Sequence, residues 1–219
     1  MTQNSDPSPL SNTQEINEFL QDKGDAAFAE EKYDMALAIY NKTLDYGPPT
    51  AELYEKIGDV LYSLERFQEA LETYRKAIQQ AAIDHEPEKT SLLRKKGDCY
   101  YALGDYVEAC VAYDQTILLD PDNVLAHFYK GNALFKLQHY SHALTAYEQV
   151  IRLRPDEATG YGQKGGTLPK LKRYVEALAA CKQAIQLAPE NPEYYEYAIH
   201  ALVKLKRHSE VCTFCTRLI

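Results

Sequence analysis

The chain has 219 residues, 45% of them hydrophobic and 26% charged, and a formal charge of −8. That length buries a sizeable core in one or two domains. The acidic balance opposes nucleic acid or an anionic membrane surface as the main partner. Five cysteines, an odd number in a chain this long, do not form a disulfide scaffold and read as free thiols in a reducing compartment.

The first 16 residues, opening MTQNSDPSPL, have no basic start followed by an apolar run, so they are not a secretory signal and are expected to be a disordered lead-in. No stretch reaches the roughly 18 apolar residues of a membrane span, which predicts a cytoplasmic protein with no membrane insertion. From residue 17 a pattern recurs. LQDKGDAAFAEEKYDMALAIYNKTL is followed in register by LYEKIGDVLYSLERFQEALETYRKAI and LLRKKGDCYYALGDYVEACVAYDQTI. HFYKGNALFKLQHYSHALTAYEQVI and GYGQKGGTLPKLKRYVEALAACKQAI continue it. A glycine recurs as Gly24, Gly58, Gly97, Gly131 and Gly165, at steps of 34, 39, 34 and 34 residues. Twelve residues after each comes Ala36, Ala70, Ala109, Ala143 or Ala177, and four further on Tyr40, Tyr74, Tyr113, Tyr147 and then Cys181. Pro48, Pro121, Pro155 and Pro189 close four of the units.

Within each unit apolar residues fall at steps of three and four, predicting two helices of roughly 13 residues. The small glycine and alanine let the pair approach closely, and the aromatic fills the space beside them. Each pair leaves one apolar face bare, so pairs must stack into an α-solenoid with a concave groove. The pattern resembles the tetratricopeptide repeat (TPR) family over nearly the whole chain. Six units fit: 17–50, 51–84, 90–123, 124–157, 158–191 and 192–219, with an insert at 85–89 (HEPEK) that could divide two repeats from four. The resemblance implies an all-α, right-handed superhelix of about six helix-turn-helix repeats. It also implies a non-catalytic adaptor or scaffold that takes a peptide or protein partner in a groove lined by the first helix of each repeat. The alternatives are a regulatory or docking segment of a larger enzyme, and a self-assembling scaffold.

Residues one and four after the register glycine give two groove columns. Asp25, Asp59, Asp98 and Asn132, then Gly166 and His200, form the first; Phe28, Tyr62, Tyr101 and Phe135, then Pro169 and Val203, form the second. Together they predict aromatic pockets with acidic rims, suited to a peptide carrying Lys or Arg beside apolar anchors. Some family members hold acidic chaperone tails with a clamp of Lys and Asn. The matching places here are Gln21, Asp25, Lys56, Ser91 and Lys95, of which only Lys95 puts the cation the clamp needs, and Asp25 repels.

TGYGQKGGTLPK, residues 159–170, matches the G-x-G-x-x-G of a dinucleotide loop. That loop needs a preceding strand, whereas here the preceding segment closes the fourth repeat, and Gly165 is a register glycine. No cofactor is expected. Three further glycines and Pro169 disfavour helix by about 1 and 3 kcal/mol each, so the first helix of repeat five is expected to be kinked or frayed. The Cys212–Cys215 pair and Cys99, Cys110 and Cys181 fall at packing positions, and His139 and His142 in a turn, so neither a metal site nor a catalytic site is expected. Repeats one and two carry 14 acidic against 7 basic side chains, repeats five and six 5 against 9, a polarity that can steer a dipolar partner. The last unit stops within its second helix, leaving Val211, Phe214, Leu218 and Ile219 partly bare. Either a longer chain or self-association through this end would cover them.

Overall fold

A computed structural model describes residues 9–83 and 90–215. It holds twelve α-helices and no strand among the described residues: α1 (Pro9–Ala29), α2 (Tyr33–Thr43), α3 (Ala51–Ser63), α4 (Phe67–Ile83), α5 (Thr90–Leu103), α6 (Tyr106–Leu119), α7 (Val124–Lys136), α8 (Tyr140–Leu153), α9 (Ala158–Thr167), α10 (Tyr174–Leu187), α11 (Pro192–Lys204) and α12 (His208–Cys215). The chain divides into two compact units, one ending at Gly104 and the other beginning at Asp105. The break falls between α5 and α6, not at the insert, which lies outside the described residues together with the side chains of Cys212 and Cys215 and with Leu218 and Ile219. α1 already begins at Pro9, within the segment expected to be disordered. Side-chain hydrogen bonds one turn apart, Gln14 to Glu18 and Gln21 to Asn17, support it from Gln14 onward.

Each unit is a stack of helical hairpins, so the fold is an all-helical α-solenoid. In the N-terminal unit α1 packs on α2, α2 on α3, α3 on α4 and α4 on α5; in the C-terminal unit the same order runs from α6 to α12. Residue chemistry sets the helix ends. Thr50, Asn123 and Asn191 cap α3, α7 and α11 by accepting from the backbone N–H of Leu53, Ala126 and Glu193. At the hairpin tips the chain reverses through a left-handed residue. At the first, Glu31 (φ 58°) precedes the 2.9 Å bond from Lys32 N–H to Ala27 C=O that closes the turn.

Glycine and aromatic ring form the joint of each hairpin. A Cβ on Gly58 would sit 2.5 Å from the ring of Tyr74, and on Gly131 2.5 Å from that of Tyr147. The rings are 1% exposed, so the helices touch through them with no space for a methyl group. Tyr40 lies on Gly24 in the same way, and Cys181 places its Sγ on Gly165.

Of the kinked or frayed helix expected here, α9 shows no fraying among its α-helical residues, and its departure from α geometry falls at Pro169. It stays regular as far as Thr167, then tightens to a 3-10 turn over Leu168–Leu171 that contains Pro169, before Lys172 turns the chain (φ 59°). Its glycines are not loose. The ring of Tyr194 fills the place of a Cβ on Gly162, the ring of Tyr197 that on Gly166, and Ile151 and Val150 that on Gly160. Proline changes the helix type, while the glycines let two tyrosines of α11 lie against the backbone. Cys99 and Cys181 are fully buried, and burial pushes both thiols up to about 12, leaving them protonated at neutral pH.

Candidate partner-binding site

The first-column acids stand on α1, α3 and α5, and each is tied into the scaffold. The Tyr40 hydroxyl donates to Asp25 Oδ1 at 2.5 Å and Lys56 Nζ to Oδ2 at 2.9 Å. One repeat on, Tyr74 donates to Asp59 Oδ1 at 2.7 Å, and Lys95 reaches both Asp59 Oδ2 (2.7 Å) and Glu55 Oε1 (2.8 Å). Asp98 accepts from Arg94 one turn back, and in the C-terminal unit Asn132 accepts from Tyr147 at 2.8 Å. The pattern bonds the first helix of a repeat to its own second helix and, through lysine, to the first helix of the next. Of the clamp places, Gln21 is bonded to Asn17, Lys56 to Asp25, and Ser91 and Lys95 to Glu55.

The second column packs within its repeats and still shows to solvent. Phe28 lies 5.6 Å from Tyr33, Tyr62 5.2 Å edge-on to Phe67, and Phe135 5.4 Å edge-on to Tyr140. Tyr62 remains 37% exposed, while Phe28, Tyr101 and Phe135 are half-buried. In the N-terminal unit Phe28, Tyr62, Asp59 and Asp98 come together. With Arg94, Lys95, Ser63 and Tyr74 they line an open cleft of about 280 Å³. Asn132 and Phe135 belong to the other unit. The cleft also holds two cations that stand outside both columns, Arg94 and Lys95. Each aspartate of the cleft is bonded to one of them, Asp59 to Lys95 and Asp98 to Arg94.

Burial raises the Asp25 carboxyl, but the Tyr40 hydroxyl and the Lys56 ammonium outweigh it, and the net value lies below 3.8. Bonds from Arg66 and Arg173 hold Glu69 and Glu176 below 4.5. Carboxyls lowered by folding stabilise the protein above their unfolded values, and this contribution is lost as pH falls through the folded ones. The melting temperature is therefore expected to drop on acidification below about pH 4.5, with no loss from these groups above it. A circular-dichroism melting series from neutral to strongly acidic buffer checks this.

Among the described residues no three His, Cys, Asp or Glu side chains are placed to hold a metal, and no helix is long and apolar enough to cross a membrane. Stacked helical hairpins with a cleft between their first helices define a helical-repeat protein of the protein-interaction class. Family comparison gives the same answer in finer terms: the tetratricopeptide repeat matches residues 12–82 and 130–192, and the TPR repeat residues 97–138. The chain belongs to the tetratricopeptide repeat family.

Solved structures share the fold. A tetratricopeptide repeat protein from Parabacteroides merdae is 15% identical, with a TM-score of 0.78 over 93% of this chain and 79% of its own. MamA from Desulfovibrio magneticus, from residue 41 to its end, is 24% identical, with a TM-score of 0.71 over 77% and 92%. YrrB, described as a TPR protein with an unusual peptide-binding site, is 20% identical, with a TM-score of 0.69 over 86% and 97%. Comparison with curated proteins finds no match.

Proposed function

We propose that the protein is a non-catalytic adaptor that takes a peptide or protein segment in the groove formed by the first helices of the N-terminal unit, with the α1–α3–α5 cleft as its anchor point. The meeting of Phe28 and Tyr62 with Asp59, Asp98, Arg94 and Lys95 around that cleft carries the reading. The rings offer apolar contact area, and the balanced charges offer donors and acceptors to a peptide backbone. The partner is accordingly expected to insert an apolar side chain with little preference for net charge. The peptide site of YrrB, which shares the fold, agrees with this use, and proteins of this family and fold are typically non-catalytic.

A photo-crosslinking residue at Ser63, at the cleft edge, is expected to capture a partner segment from cell extract. The Phe28→Ala/Tyr62→Ala variant should lose that capture while keeping its helicity. Equal capture by both forms would move recognition out of the cleft.

A further inference from the structure

The C-terminal unit carries a charged edge that shares no residue with the α1–α3–α5 cleft. The chain repeats Lys-Leu-Lys-Arg at 170–173 and 204–207, at the hairpin tips joining α9 to α10 and α11 to α12. The arginines are spoken for: Arg173 is bonded to Glu176 and Arg207 to Glu210. Lys170, Lys172, Lys204 and Lys206 are all exposed, and none has an ion-pair partner among the described residues. Lys172 and Lys206 occupy the left-handed turn position (φ 59° and 58°), which sets them on the outside of the bend. In the N-terminal unit the matching places hold Ala29 with Glu31, and Ser63 with Glu65. Apolar surface accompanies the lysines: Val203, before Lys204, is 45% exposed, and Val175, three residues after Lys172, is 65% exposed.

We propose that these two tips form a second docking edge, which takes an acidic peptide segment carrying apolar side chains. The chemistry selects this partner over other polyanions. The four unpaired cations are lysines, point charges that attract carboxylates without demanding one geometry. The exposed apolar groups are aliphatic, so bases have no ring to stack on. The apolar groups exposed beside the lysines are two valines, which offer a bilayer little area to bury, whereas a short peptide needs no more. The edge shares no residue with the N-terminal cleft.

The test uses the full chain and a fluorescein-labelled peptide of repeated Glu-Glu-Leu, with labelled oligothymidine and phosphatidylserine vesicles beside it. Fluorescence anisotropy is expected to show peptide binding that weakens with salt. Binding should fall by about tenfold or more when the four lysines become glutamine, and vanish when they become glutamate. Glutamate suits the turn, since Glu31 and Glu65 already occupy that position, and the glutamine variant decides the matter should the glutamate variant lose helicity. The Phe28→Ala/Tyr62→Ala variant should bind this peptide like wild type, which separates failure of this edge from failure of the cleft. No peptide binding, equal binding by the glutamine variant, or tighter binding of oligothymidine or vesicles would each overturn the proposal.

Discussion

Tyr74→Ala is expected to lower stability by about 3–5 kcal/mol, the range for removing a large buried aromatic. The ring is 1% exposed and lies against the backbone of Gly58. The hydroxyl contributes separately. It donates to Asp59 Oδ1 at 2.7 Å, and burial, followed by the Asp59 charge, moves its ionisation well above the ordinary tyrosine value. Tyr74→Phe keeps the packing and removes that bond, leaving Asp59 with Lys95 alone. Its cost should be about 1 kcal/mol, the net value of one hydrogen bond, or somewhat more because the acceptor is charged. Urea unfolding of the two variants separates packing from polar contribution. Equal losses would mean that the hydroxyl, not the ring against Gly58, holds the hairpin.

That joint is also why so much of the fold could be read from the sequence. A ring packed on a glycine 16 residues earlier leaves a fixed spacing that tolerates little else, so Gly24 with Tyr40, Gly58 with Tyr74 and Gly131 with Tyr147 mark the hairpins directly. Partners joined across repeats leave a fainter trace. Lys56 and Lys95 stand two residues before their register glycines and take up the Asp25 and Asp59 of the preceding repeat. In repeat four Tyr129 holds that place and in repeat five Gln163, so the lysines stop after repeat three. Acid followed by lysine in the next repeat is a signal within the chain itself, and it marks Asp25 and Asp59 as structural ties. The cleft was half legible. Its aromatics stand at a fixed offset from the register glycine, but Arg94 reaches Asp98 along α5 and has no counterpart in the other repeats.

Repeat five shows the limit of propensity as a guide, and the second large effect tests it. Gly162→Ala would gain about 1 kcal/mol if α9 were judged as an isolated helix. The new methyl group, however, would lie 2.2 Å from Cε1 of Tyr194, a ring 7% exposed within the core of the C-terminal unit. Overpacking of that kind costs about 1–3 kcal/mol, and the ring cannot turn away without uncovering the α9–α11 contact. The clash therefore outweighs the propensity gain, and the melting temperature should fall. Gly104→Ala is a control with a different cause: nothing lies within 4 Å of its Cβ position, but its φ of +87° strains any side chain. Adding Tyr194→Ala should cancel the Gly162→Ala penalty and leave Gly104→Ala unchanged, because only the first is a contact with that ring. If Gly162→Ala proved stabilising in the presence of Tyr194, α9 would be the loose helix its composition suggests, and the tyrosines of α11 would not be packed against it.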